Sequence, residues 1–220
     1  MSKRSYNQFC PLAYSLDVIG ERWTLLIIRE LLLGPRRYTD LLNGLPGIGT
    51  NLLASRLKSL EEMNVIQQRT LPPPSASQVY ELTEFGDGLR PVIGAISNWG
   101  MNFMQFPPPE DDFVGVVPSI AALRSFFKPD AAQGIHASYE FRMDDTTLAL
   151  TINEGELTLV EGSANNAPDM IVQTTRHVLI SLIGGEQPVH EAIKAGQFNI
   201  IKGDLPLFEK LIPVFAHVPV

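Results

Sequence analysis

Tyr38-Thr39-Asp40-Leu41-Leu42-Asn43-Gly44-Leu45-Pro46-Gly47-Ile48-Gly49-Thr50-Asn51-Leu52-Leu53-Ala54-Ser55-Arg56-Leu57-Lys58-Ser59-Leu60 is the stretch that decides the fold. Tyr38 to Asn43 reads as a short helix, and Gly44-Leu45-Pro46-Gly47 closes it. Thr50 to Met63 reads as a longer helix. Leu53, Leu57 and Leu60 recur at i, i+4 and i+7, which places them on one face, with Leu52 beside them. The opposite face carries Asn51, Ser55, Lys58, Ser59 and Glu62. Two helices joined by a tight glycine-containing turn is the arrangement that lets the second helix enter a major groove.

The flanks support this reading. Leu12 to Ile19 is a short apolar segment ending at Gly20. Arg22 to Leu33 reads as a buried helix stopped by Gly34-Pro35, where the chain gains left-handed freedom and then loses an N–H. After Met63 the period changes. Val65 to Leu71 reads as a strand, Pro72-Pro73-Pro74-Ser75-Ala76-Ser77 as a loop, and Gln78 to Leu82 as the returning strand. Thr83 is the expected N-cap of a last helix running through Trp99 toward Met104, irregular near Gly86, Pro91 and Gly94. Three helices, a hairpin with a projecting loop and a final helix give the order of a winged helix-turn-helix.

Phe106-Pro107-Pro108-Pro109-Glu110-Asp111-Asp112 is the sharpest break in composition. Three prolines end any helix, so residues 1–105 and 106–220 read as two domains joined by a short stiff linker. The charge divides the same way. The chain carries a net charge of −7. Residues 1–105 hold ten Lys/Arg against nine Asp/Glu, and residues 106–220 hold seven against fifteen. The acidity therefore belongs to the second half, where extensive contact with a polyanion is disfavoured. A near-neutral first half needs only a local basic face to neutralise phosphates. With 45% hydrophobic and 19% charged residues, the chain has the balance of a globular protein. No apolar run reaches the length of a membrane helix. No secretory signal opens the chain, so a cytoplasmic location is the expectation. The single cysteine, Cys10, excludes an internal disulfide and a cysteine-rich zinc site.

The second half reads as strands followed by alternating helices and strands. Tyr139 to Met143 and Leu148 to Ile152 are joined by acidic residues that include Asp144-Asp145. Asn153-Glu154-Gly155-Glu156 turns into Leu157 to Val160, and Ala167 to Thr174 is a further strand. Helices are expected over Thr175 to Ile183 and around Ala192, a last strand over Phe198 to Asp204, and a last helix over Leu207 to Phe215. The fold class is thus α+β: a mostly helical winged helix-turn-helix with a hairpin wing, then an α+β domain with a mixed five-stranded sheet packed by helices.

Residues 8–104 resemble the HxlR-type regulators, a branch of the MarR-like winged-helix proteins. The resemblance rests on Cys10-Pro11, on Ile19-Gly20-Glu21-Arg22-Trp23-Thr24-Leu25-Leu26, and on Arg37-Tyr38-Thr39-Asp40-Leu41. It continues in Leu45-Pro46-Gly47-Ile48, Arg56-Leu57 and Tyr80-Glu81-Leu82-Thr83. Gly49 stands where the family often has a capping Ser, which predicts that Thr50 takes the cap and shifts the helix start by one residue. The resemblance implies a homodimer that binds a palindromic double-stranded DNA operator and regulates transcription. Thr50, Asn51, Ser55, Arg56 and Lys58 are then the candidates on the recognition helix. Hydroxyl and amide groups suit base edges, and Lys58 suits a phosphate or guanine. Arg56 has a competing reading as an internal ion-pair partner. Arg36, Arg37 and Arg69 are candidates for backbone contacts. Tyr6 to Val18 and Val92 to Phe103 read equally as dimer interface or as core. Some relatives sense oxidants or electrophiles through a cysteine at the position of Cys10. The other reading of Cys10, with Lys3 and Arg4 nearby in the chain, is a buried structural thiol.

Residues 139–215 resemble a sterol-carrier-protein-type lipid-binding domain, on Ala167-Pro168-Asp169-Met170, Gly184-Gly185, Ala195-Gly196 and Ile200-Ile201-Lys202-Gly203-Asp204. That resemblance implies an apolar tunnel for a small hydrophobic ligand. Phe126, Phe127, Phe141, Leu179, Ile183, Phe198 and Phe215 are candidate lining residues, with plain core as the competing reading. No enzyme, cofactor or metal is expected. His136, His177, His190 and His217 lack metal-ligand spacing, and no nucleophile elbow or phosphate loop is present. The alternative to a ligand-responsive regulator is a lipid carrier whose helical half serves only for dimerisation.

Overall fold

The computed structural model describes residues 5–74, 76–105, 107–109, 111–143, 146–164 and 166–215. The expectations that rest on Lys3, Arg4, Ser75, Phe106, Glu110, Asp144, Asp145 and His217 lie outside the described residues. The chain divides into two compact units, Met1–Ala95 and Ile96–Val220.

The first unit contains α1 (Pro11–Ile19), α2 (Thr24–Leu31), α3 (Tyr38–Gly44), α4 (Thr50–Glu62), β1 (Ile66–Thr70), β2 (Gln78–Leu82) and α5 (Glu84–Asp87). Helix α6 (Arg90–Gly100) follows and crosses the division. Pro11 opens α1 at a position whose N–H would be unpaired in any case. Ile27, Ile28 and Leu31 of α2, Leu41 of α3, and Leu53, Leu57 and Leu60 of α4 bury their side chains together with Val65 and Ile66. The i, i+4, i+7 leucines of α4 are therefore the ones that anchor it to the core, as their spacing requires.

Several boundaries differ from those read in the sequence, each for a local reason. Helix α2 begins at Thr24, not Arg22, because Trp23 sits at a left-handed φ of 79° and cannot continue a helix backwards. Gly49, not Thr50, is the N-cap of α4: its backbone is extended and Thr50 is already helical, so the helix start is not shifted. Thr83 caps as expected, accepting from the Gly86 N–H at 3.0 Å, but the helix it opens is only α5. The chain bends after Gly88 before α6, and a 3₁₀ turn follows at Met101–Phe103. Gly86 has to be glycine, since a Cβ there would overlap the carbonyl oxygen of Val65. The wing is an antiparallel hairpin with Ile66 opposite Leu82 and Thr70 opposite Gln78. Arg36 and Tyr80 exchange backbone hydrogen bonds of 2.9 and 2.8 Å, which fastens the chain before α3 to the wing.

The second unit contains α7 (Val116–Phe126), β3 (His136–Met143), β4 (Thr146–Asn153), β5 (Glu156–Glu161), β6 (Met170–Thr174) and α8 (Arg176–Ile183). It ends with α9 (Val189–Lys194), β7 (Asn199–Lys202), α10 (Leu205–Glu209) and α11 (Ile212–Phe215). The five strands form one mixed sheet in the order β5-β4-β3-β6-β7, with β3 and β6 parallel and the other pairs antiparallel. Glu154 and Gly155, both at positive φ, make the tight β4–β5 turn. The last helical stretch is two short helices rather than the single one expected, with Leu211 between them. Tyr139, Phe141, Leu148, Leu150 and Ile152 are buried on one face, while Arg142 and Thr151 of the alternate set are exposed. Glu140 and its partner Ala149 break the alternation and are buried as well. Tyr139 packs parallel to Phe141, whose edge meets Phe208, and Phe208 packs on Phe198 with ring centroids 4.5 Å apart. Burial pushes the Tyr139 phenol up to about 12, with Asp169 adding to the shift. The phenol donates to the Leu207 carbonyl at 3.1 Å, so its one polar group is satisfied.

Candidate functional site

Helix α4 presents Thr50, Asn51, Ser55 and Lys58 to solvent while Leu53, Leu57 and Leu60 face the core. The helix is held at its start by Tyr38, whose hydroxyl donates to the Thr50 carbonyl at 2.8 Å. It is held again at its middle by Arg56. The guanidinium of Arg56 pairs with Glu21 at 2.8 Å and donates to the Arg22 carbonyl at 3.3 Å. Arg56 is therefore half-buried and turned toward the loop before α2, whereas Lys58 is 77% exposed with only a 3.9 Å contact to Glu62. That contact is an exposed i, i+4 pair, which contributes at most a few tenths of a kcal/mol.

On the wing, Arg69 reaches across the hairpin to Glu81 at 2.8 Å. The hydrogen bond from Arg69, then one from Gln67, holds the Glu81 carboxyl below the usual carboxylate range, and the same pair makes the Arg69 proton harder to lose. Arg37 is exposed at the start of α3, where its backbone N–H donates to Asp40 at 2.9 Å. Arg36 is half-buried behind the wing. Thr50, Asn51, Ser55, Lys58 and Arg37 are thus surface groups, while Arg36 and Arg56 are partly enclosed.

The segments with two readings, interface or core, are largely outside the core. Phe9 is 100% exposed, and Tyr6, Leu12, Tyr14, Ile96, Trp99 and Phe103 are all exposed. Phe9 packs edge-on against Tyr14, and Trp99 against Phe103 at 4.9 Å. Only Ala13, Ile19 and Ile93 of α1 and α6 are buried. Cys10 is half-buried at the N-cap of α1.

The second unit holds an apolar pocket of about 120 Å³. Leu123, Phe126, Ile183 and Phe215 make its inner wall, and Met104 and Phe113 its outer one. Of the seven lining candidates, the structure brings Phe126, Ile183 and Phe215 together there. Phe127 touches Phe215 from outside the wall, Leu179 is buried without lining the pocket, and Phe141 and Phe198 belong to the aromatic core against the sheet. Sequence reasoning missed Met104, Asp112 and Phe113 because they lie around the proline run, which reads as linker. The return of apolar residues at Phe113-Val114 directly after the acids was the available signal. On the sheet, Asp169 accepts from both the backbone N–H and the hydroxyl of Ser138, at 2.8 and 2.7 Å, which lowers its pKa. His136 contacts Glu154 at 2.5 Å and Asn153 at 2.7 Å. Among the described residues no three His, Cys, Asp or Glu groups come close enough to hold a metal ion. No helix among them is long and apolar enough to cross a membrane.

A three-helix core, a helix with a polar outer face after a tight turn, and a hairpin wing define a winged helix-turn-helix protein. The chain belongs to the HxlR-like helix-turn-helix family, whose model matches residues 18–107. The HTH-type transcriptional regulator YodB of Bacillus subtilis is 33% identical over 100 residues, 45% of this chain and 89% of that protein. The uncharacterized HTH-type transcriptional regulator YvaP of the same organism is 31% identical over 44% of this chain and 92% of its own length. Residues 127–218 match the alkyl sulfatase C-terminal family, so the finding for the second half is that model rather than a sterol-carrier one. The inverting sec-alkylsulfatase Pisa1 from Pseudomonas sp. aligns with 48% of this chain at 22% identity and a TM-score of 0.43, over 17% of its own length.

Proposed function

We propose that the protein is a dimeric transcriptional regulator that reads a palindromic operator with α4 and responds to a small hydrophobic molecule held by its second half. The observation that carries the reading is the two-sided character of α4: leucines fix one face in the core, and Thr50, Asn51, Ser55 and Lys58 occupy the other. Its relatives are regulators of the same helix-turn-helix type. Asn51 and Ser55 are assigned to base edges, Lys58, Arg37 and Arg69 to phosphates, and Arg36 and Arg56 to positioning the groups around them. The exposed apolar faces of α1 and α6 are assigned to the partner copy, because solitary exposure of this many large aromatics is unfavourable. Residues 1–105 then form the DNA-binding and dimerisation domain, and residues 106–220 a ligand-binding domain of sterol-carrier-like architecture. The purified chain, titrated onto the region upstream of its own gene at low salt, is expected to give a retarded complex that added salt weakens. No retardation at any salt would leave the carrier reading in its place.

A second reading, hydrolysis of an alkyl sulfate ester, is favoured by one observation, the family model matched by residues 127–218. Sulfate released from an alkyl sulfate by the purified chain would establish it.

A further inference from the structure

The pocket between α7, α8 and α11 offers a bound molecule very few polar partners. Its walls are mostly aliphatic and aromatic. Two side chains are polar. Ser119 is buried, and its hydroxyl donates to the Gly115 carbonyl at 2.7 Å, so its proton is already committed. Asp112 is exposed, and its carboxylate is the one charged group among the described lining residues. No Lys, Arg or His is among them. A carboxylate accepts hydrogen bonds and has none to give. The polar end of a bound molecule can therefore donate to this site, but no side chain among the described lining residues has a free donor to give in return.

We infer that this pocket takes an apolar molecule with a hydrogen-bond-donating head, a protonated amine before an alcohol, and that Asp112 holds the head at the mouth. An anionic amphiphile, whether carboxylate or sulfate, would meet a like charge there with no donor to offset it. The inference rests on the reading of this pocket as a ligand site and adds the ligand's chemical class to it. The second half is acidic throughout, so a diffuse field also attracts cations. Asp112, a single side chain, is what sets the selectivity beyond that field.

The test compares decylammonium, decanol and decanoate, three probes with the same tail, below their aggregation concentrations. Binding to the full chain is followed by titration calorimetry at pH 7, where an alkyl amine is protonated. Decylammonium is expected to bind about tenfold more tightly than decanoate, with decanol between them. Asp112→Asn is expected to shrink that difference to about twofold or less while changing decanol binding far less, since the amide oxygen still accepts a hydroxyl, and Asp112→Lys to reverse the order. Decanoate binding as tightly as decylammonium would overturn the inference while leaving the pocket a ligand site. A cation preference that survives Asp112→Asn would also overturn it, by assigning the effect to the diffuse field. Binding of none of the three probes would remove the ligand-site reading and the inference together.

Discussion

The Tyr38 hydroxyl donates to the carbonyl oxygen of Thr50 at 2.8 Å, so the short helix before the turn is tied directly to the first residue of the recognition helix. The bond crosses the Leu45-to-Gly49 turn and fixes the angle at which α4 leaves it. That angle decides whether Asn51 and Ser55 can meet bases together. Tyr38→Phe removes the bond and keeps the ring. It is expected to lower stability by about 1 kcal/mol, measured by urea denaturation. It is also expected to weaken operator binding more than that loss of stability accounts for, because the helix start becomes free to tilt. Unchanged DNA affinity in the folded variant would show that the bond serves stability alone.

Lys58 and Asn51 sit on the same exposed face of α4 and have different assignments. A lysine that neutralises one phosphate contributes counterion release and no sequence information. Lys58→Ala is therefore expected to weaken binding to operator and random duplex alike, and to reduce the slope of log K against log salt by about 1. Asn51→Ala is expected to leave that slope alone and to narrow the gap between operator and random sequence by about 1–3 kcal/mol. Fluorescence anisotropy over a salt series separates the two outcomes. Equal losses and equal slopes in both variants would contradict the assignment.

The division of labour on α4 was legible in the sequence because helical periodicity alone separates leucines from polar residues. The hairpin wing was legible for the same reason, through its change of period. Arg56 could be read as an ion-pair partner, but Glu21 could not be read as the acid that meets it. The left-handed Trp23 and the Arg69–Glu81 pair were not legible at all, since each depends on where a distant backbone or side chain arrives. The pocket shows the limit most clearly. Phe126, Ile183 and Phe215 meet there, but Phe141 and Phe198, equally apolar in sequence, fill the core beneath the sheet. Apolar character predicts burial and says nothing of which buried surface is left with a space beside it. Met104 and Phe113 were hidden by their neighbours, because prolines and acids dominate that stretch.

If Arg69 meets a phosphate, as proposed, Glu81 competes for it. The two groups form a 2.8 Å pair on the wing, and Gln67 adds a hydrogen bond to the same carboxylate at 2.9 Å. A phosphate that uses Arg69 must share it with this acid or displace it, and the acid itself repels the phosphate. Glu81→Gln keeps the hydrogen-bonding shape and removes the charge. It is expected to tighten DNA binding by about two- to fivefold at low salt, with the gain shrinking as salt rises. Anisotropy on the same duplexes measures it. Weaker binding in this variant would mean that the pair serves to aim Arg69 rather than to restrain it.

Asp169 staples the segment before β6 to β3 and is expected to make the second unit sensitive to acid. Its carboxylate accepts the hydroxyl and the N–H of Ser138, and these bonds hold its pKa below the ordinary 3.8. The folded state therefore holds the proton less tightly than the unfolded chain does. The stabilisation this gives is complete above the unfolded pKa and is lost as pH falls through the folded one. Asp169→Asn removes the charge and with it this contribution to the pH dependence. The variant is expected to melt at a lower temperature than the parent at pH 7. The difference is expected to shrink as the pH is lowered from about 5 toward 2. Thermal denaturation followed by circular dichroism across that range checks the sign. A difference that grows on acidification would show that Asp169 is more easily protonated in the fold than in the open chain, contrary to its two bonds with Ser138.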